Sequence, residues 1–144
     1  MAGLELGGAY ALRCGVGLVF PTEDDTFDFC RFIQVGLLRL LATSAIMGDD
    51  VRTIGEAWIV YDRWLEDVRI GIRPESFDIE AAFRAAARSV SRLSSAKALG
   101  NCYLVAVSQV TGATLATFDR GLAAACNKVR QPVRLLETAP ADKR

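Results

Sequence analysis

A chain of 144 residues suits one domain with a core of its own, and a hydrophobic content of 51% supports a globular α/β protein. Its 17 Lys and Arg balance its 17 Asp and Glu, so no global basic field advertises nucleic-acid binding, and any such site must be local. The absence of histidine excludes Ser-His and Cys-His nucleophilic machinery and most zinc sites, leaving carboxylate chemistry that suits hard cations such as Mg2+ or Mn2+.

The first twenty residues are the odd part. Gly3, Gly7, Gly8, Gly15 and Gly17 crowd here, while Glu5 and Arg13 interrupt any signal-peptide pattern. Val16 to Phe20 could form a short strand. Glu23, Asp24 and Asp25 form an acidic turn after Pro21, a solvated loop with a metal role as the alternative. Phe27 to Ile33 is a strand candidate. Gln34 to Thr43 follows as a helix, with Leu37, Leu38, Leu40 and Leu41 apolar. Gly48, Asp49 and Asp50 make a loop. Thr53-Ile54-Gly55-Glu56 has the form of a capping box.

The helix after that box places Ile54, Ala57, Trp58, Tyr61, Trp64, Leu65 and Val68 on one face, with Asp62 and Glu66 opposite. Its two tryptophans could stack on bases, but their place in the apolar stripe favours core packing or a protein interface. Val68 to Ile72 is a short strand and Pro74 to Ser76 a turn. Ser76 or Asp78 caps a helix with the stripe Ile79, Phe83, Ala86, Ala87, Val90 and Leu93. Arg84, Arg88 and Arg92 recur every four residues on its flank, either a solvated face or a row for RNA phosphates. Cys14, Cys30, Cys102 and Cys126 show no C-x-x-C spacing, and three of them lie in apolar segments, as reduced thiols of a cytoplasmic protein do. No run of about 18 or more uncharged apolar residues suggests a membrane span.

The stretch Lys97 to Arg120, KALGNCYLVAVSQVTGATLATFDR, organises the chain. Leu99, Cys102, Tyr103, Ala106 and Val110 follow helical spacing, and Leu104, Val105 and Val107 leave this helix enclosed on most sides. Gly112 stands where a left-handed residue ends a helix. Ala113 to Phe118 is then a short strand with Asp119 at its exit. A helix feeding a parallel strand runs antiparallel to it, so Asn101, in the first turn, and Asp119 can face one crevice at the sheet edge where α/β proteins place their sites. Arg120 to Cys126 is a short helix with Leu122 inward. Val133 to Leu136 is a final strand, and the polar tail 138–144 is frayed.

The segment GNCYLVAVSQVTGATLATFDRGL resembles the C-terminal signature of PIN-domain nucleases, closest to the VapC-type toxins of bacterial toxin–antitoxin pairs. FCRFIQVGLLRLLATSAIMGDD and TIGEAWIVYDRWLED extend the likeness from about Pro21 to Glu137. The resemblance implies one PIN-like domain over residues 1–137. Its fold would be a three-layer α/β/α sandwich with a mostly parallel central sheet. It implies a Mg2+- or Mn2+-dependent endoribonuclease with a VapB-like antitoxin, an RNA substrate and possible homodimer formation, in the cytoplasm and away from membranes.

In that family, carboxylates hold one or two metal ions that activate water and neutralise the scissile phosphate. By the resemblance, the site residues here are Asp119 and Asn101, as catalytic and metal-binding positions. Asn101 stands where the family has an aspartate: it can hydrogen-bond a metal water but adds no charge. The first-strand aspartate has no counterpart, and Gly36, with Gln34 nearby, occupies the place of a supporting glutamate. A displaced start or a frame change upstream would produce such an opening. Three readings stay open: an active ribonuclease assisted by Asp24, Asp25 or another acid; a catalytically impaired relative that binds antitoxin, RNA or itself; and a damaged toxin that lacks its central strand. Asp119 also has a purely structural reading, as the cap of the next helix.

Overall fold

A computed structural model describes residues 26–136, which form an α/β arrangement of short parallel strands and helices. The expectations on Val16 to Phe20, on Glu23, Asp24 and Asp25, on Cys14 and on the tail fall outside the described residues. The chain divides into two compact units, one ending at Pro74 and the other starting at Glu75.

In the first unit, β1 (Phe27–Phe29) leads into α1 (Arg31–Leu41). The helix thus starts three residues before the expected Gln34, and the strand stops at Phe29 rather than Ile33. The backbone shows the difference: the Gln34 amide already donates to the Cys30 carbonyl at 3.0 Å, an i→i−4 bond that takes Arg31, Phe32 and Ile33 into the first helical turn. A short α2 (Ser44–Met47) and a 3-10 turn (Gly48–Asp50) lead to α3 (Ile54–Leu65). The capping box that opens α3 is present as expected: Thr53 Oγ1 accepts from the Glu56 amide at 3.2 Å, and the Glu56 carboxylate accepts from the Thr53 amide at 2.8 Å. β2 (Ile70–Ile72) pairs in parallel with β1 in the register Phe27↔Ile70, Asp28↔Gly71, Phe29↔Ile72. Arg73 closes the pair by a salt bridge to Asp28 at 2.6 Å.

Phe29, Leu37, Leu41, Met47, Ala57, Tyr61 and Trp64 form the core of this unit. Phe29 stacks on Trp64, with ring centroids 6.2 Å apart and planes 9° from parallel. The α3 stripe is only half correct. Ala57, Tyr61 and Trp64 are buried, but Ile54 is 74% and Trp58 42% exposed, and Val68 lies beyond the helix end in solvent. Trp58 meets Tyr61 edge-on at 5.8 Å and leaves its other face to water.

The Tyr61 hydroxyl is buried without a hydrogen-bond partner among the described residues. A buried polar atom left unpaired is costly, so removing it should cost nothing. Tyr61→Phe is therefore expected to leave the urea midpoint unchanged or to raise stability by up to about 1 kcal/mol, with the same m-value.

Between α3 and β2, the Arg69 guanidinium hydrogen-bonds the Asp67 carboxylate, which also accepts from the Arg69 amide, and holds its pKa down at about 2. A depressed carboxyl contributes above its unfolded value, near 4, and loses that contribution as pH falls through about 2. In a carboxyl-detected NMR titration, Arg69→Ala should return Asp67 to the ordinary carboxylate range.

In the second unit, α4 (Ile79–Arg88) packs on α5 (Ala96–Thr111), with Phe83 edge-on to Tyr103 at 5.5 Å. The stripe ends early: α4 stops at Arg88, so Leu93 is exposed and Arg92 is off the helix. The four-residue arginine row is thereby broken, and Arg84 is already held by Glu80 at 2.7 Å. β3 (Leu115–Thr117) and β4 (Val133–Leu135) pair in parallel, Leu115↔Val133 through Thr117↔Leu135, with α6 (Arg120–Lys128) between them in sequence. Val105, Leu122 and Cys126 make the apolar core, with Leu104, Leu115 and Val133 against it. A buried polar knot sits beside that core. Gln131 Nε2 donates to Ser108 Oγ at 2.8 Å and to the Ala113 carbonyl at 3.1 Å, and Ser108 Oγ donates to the same carbonyl at 3.0 Å.

Candidate functional site

The site is built at the exit of β3. The strand ends at Thr117, whose buried hydroxyl accepts from the Asp119 amide at 3.0 Å and fixes the backbone of the turn. Asp119 then serves as the N-cap of α6. Its Oδ1 accepts from the Gly121 amide at 2.8 Å and from the Leu122 amide at 3.1 Å, so the structural reading of Asp119 holds. Gly121 permits this close approach: a Cβ there would sit 3.1 Å from Oδ1, and the carboxylate would have to give.

The second oxygen is also engaged. Lys97 Nζ lies 3.0 Å from Asp119 Oδ2. Partial burial pushes the Asp119 carboxyl up, but the Lys97 ammonium and the Leu122 and Gly121 amides outweigh it and hold the pKa below the ordinary value.

Lys97 is in the first turn of α5, whose N-cap Ser95 accepts from the Ala98 amide at 3.1 Å. The opposite end closes as the sequence implied. Gly112 adopts a left-handed φ of 68°, and the chain turns into β3. The helix and strand therefore run antiparallel, and the Lys97–Asp119 pair ties the start of the helix to the exit of the strand.

Asn101 is not in the first turn, as expected, but in the second, because the helix begins at Ala96. It is half-buried and lies one turn beyond Lys97 on the same face, the i, i+4 relation. Among the described residues its side chain forms no hydrogen bond to Asp119. It is Lys97 that reaches the carboxylate. Leu99 is another departure: it was expected in the apolar stripe but is exposed, whereas Cys102, Val105, Ala106 and Ser108 form the buried face. Burial pushes the Cys102 and Cys126 thiols up, away from reactivity.

Gln34 is buried, and its amide oxygen accepts from the Arg31 guanidinium.

Among the described residues the donor set at this edge does not fit a divalent cation. One oxygen of Asp119 carries two amide bonds, the other an ammonium, and Asn101 is neutral. Among the described residues no group of three or more His, Cys, Asp or Glu could hold a metal ion. Mg2+ is ordinarily held by carboxylates with substrate phosphates and several waters, and one pre-occupied carboxylate is a poor start.

Lys97, Thr117 and Gly121 went unnoticed in the sequence. The spacing of Lys97 to Asn101 carried a usable signal, since i, i+4 puts both on the face directed at the strand exit.

No protein-family model matches the chain. Over 97 residues it is 36% identical to the Ribonuclease VapC41 proteins of Mycobacterium tuberculosis strains CDC 1551 / Oshkosh and ATCC 25618 / H37Rv. The match takes in 63% of this chain and 64% of each relative, so the chain spans a little under two thirds of the proteins it resembles. No single helix among the described residues is long and apolar enough to cross a membrane.

Proposed function

We propose that this chain is a VapC-like protein of the PIN-domain class, the toxin component of a toxin–antitoxin pair, with RNA phosphodiester hydrolysis as its chemistry. The observation that carries the reading is Asp119. It stands at the exit of a parallel strand, caps the next helix, and faces the start of the helix that feeds that strand. The likeness to proteins named Ribonuclease VapC41 supports the same class.

The finer parts belong to the proposal as well: a single PIN-like domain over residues 1–137, a three-layer sandwich, a VapB-like antitoxin, an RNA substrate, a homodimer and a cytoplasmic location. Two parallel strand pairs, one in each compact unit and each accompanied by helices, support the α/β class to which such a sandwich belongs.

Mg2+ or Mn2+ is the cation that would supply Lewis-acid chemistry to such a reaction. Because the described residues do not hold it, a second reading has its own support: the pre-occupied Asp119 and neutral Asn101 favour a protein with weak turnover that still binds RNA or antitoxin.

The deciding experiment is cleavage of a mixed RNA in Mn2+ by the chain as written, Asn101→Asp and Asp119→Asn, with and without EDTA. Weak cleavage is expected from the chain as written. Asn101→Asp should raise it by about tenfold, since a second carboxylate adds attraction for the cation. EDTA and Asp119→Asn should abolish it. Cleavage that survives both would sink the reading as a metal-dependent nuclease. Silence from all three folded proteins would leave the binding role as the function.

A further inference from the structure

We infer that Lys97 is a resident counter-cation of Asp119 and lowers the affinity of that carboxylate for divalent ions. The inference rests on the reading of Asp119 as the surviving member of a cation-binding centre. It goes beyond that reading by assigning a role to a residue of opposite charge.

The geometry leaves a divalent ion little choice of oxygen. Oδ1 is spent on the Gly121 and Leu122 amides, at 2.8 and 3.1 Å, and freeing it would uncap α6. Oδ2 is the oxygen outside the cap, and Lys97 Nζ sits 3.0 Å from it. An ion arriving at Oδ2 must displace the ammonium or meet it at contact distance, where like charges repel.

The local charge is already balanced, one ammonium against one carboxylate. Asn101, one turn further along the face that carries Lys97, adds no negative charge to draw a divalent ion in. In its sequence context the lysine takes the electrostatic part that a second carboxylate plus a metal would otherwise share.

The exposure of the two partners sets the kind of control. The Lys97 side chain is 73% exposed and the Asp119 side chain 18%. The lysine approaches from solvent, on a flexible stem, toward a fixed and largely enclosed acid. It is therefore a competitor that can swing away, not a buried plug. Such a partly exposed pair is weak in itself, so its removal should leave the fold intact.

The test is Mn2+ binding, read by water-proton relaxation enhancement. The proteins are the chain as written, Lys97→Met, Lys97→Arg, and Lys97→Met with Asp119→Asn. Lys97→Met is expected to bind Mn2+ about tenfold more tightly than the chain as written, the scale of one unit charge removed at contact distance. The gain should vanish in the double variant, and Lys97→Arg, which keeps the charge, should bind as the unmodified chain does. Lys97→Gln serves in place of Lys97→Met should the latter fail to give a native circular-dichroism spectrum. An unchanged or weaker affinity in the charge-removed variant overturns the inference, as does a gain that survives Asp119→Asn.

The two readings fail separately. Asp119-dependent RNA cleavage without a Mn2+ affinity gain leaves the nuclease class standing and removes the role of Lys97. Cleavage indifferent to EDTA and to Asp119→Asn removes the nuclease class whatever the Mn2+ titration shows.

Discussion

Phe29→Ala is expected to destabilise the first unit by about 3–5 kcal/mol, the range for truncating a buried aromatic. Phe29 is almost fully buried at the end of β1, stacked on Trp64 at 6.2 Å and tilted against Tyr61 at 5.9 Å. Truncation removes one partner from both ring contacts and opens a cavity that α1 and α3 cannot readily close. A loss of this size is a large share of the roughly 5–15 kcal/mol that holds a typical domain together. Urea unfolding followed by tryptophan fluorescence will measure it, because Trp64 reports from inside the same core. Trp58→Ala, at a half-exposed position beside Tyr61, should cost much less. Equal costs at the two positions would show that the core is not centred on Phe29.

The same pair shows what the sequence of this unit could and could not tell. The capping box at Thr53 and Glu56 is local chemistry, read from four residues, and it stands as expected. The stripe that followed it depended on how much of the helix a neighbour covers, which sequence does not encode locally. Ala57, Tyr61 and Trp64 are covered, while Ile54 and Trp58 are left at the margin. Phe27 to Ile33 was ambiguous for another reason. A short apolar run of Phe, Cys and Ile satisfies strand propensity, and only the bond from the Gln34 amide to the Cys30 carbonyl reveals that the helix has already begun at Arg31.

At the site, Gly112 and Asp119 were legible because each obeys a one-residue rule: a left-handed stop for the helix and an acceptor at the next N-cap. Asn101 was legible as a position and misread by a turn, although Ser95, a favoured N-cap residue whose side chain accepts from the Ala98 amide, marks the helix start. Lys97 was legible as a position on the face of Asn101, by its i, i+4 spacing, but not as the partner of Asp119. Nothing in a lysine near a helix start says which of several acids it will meet, and its partner lies 22 residues further on, across a helix and a strand. Thr117 and Gly121 share that difficulty, because each matters only through the fixed position of Asp119.

Asp119 has two roles, and a pair of substitutions should separate them. Asp119→Ala removes both cap bonds and the ion pair. It is expected to lower stability by about 1–2 kcal/mol, the usual cost of an N-cap replaced by alanine. Asp119→Asn keeps an acceptor oxygen for the Gly121 and Leu122 amides, and asparagine caps helices as well as aspartate does, so it should cost only a few tenths of a kcal/mol. It nevertheless removes the charge that faces Lys97, and with it all attraction for a divalent cation at this edge. The two variants should therefore differ in thermal stability and agree in function: neither should bind Mn2+ through position 119, and neither should cleave RNA. Asp119→Asn is for this reason the proper control in every activity measurement, because a loss of cleavage in Asp119→Ala alone could follow from a frayed α6. If Asp119→Asn retained cleavage at the level of the unmodified chain, the carboxylate would be structural alone, and the chemistry would have to be sought among acids elsewhere in the chain.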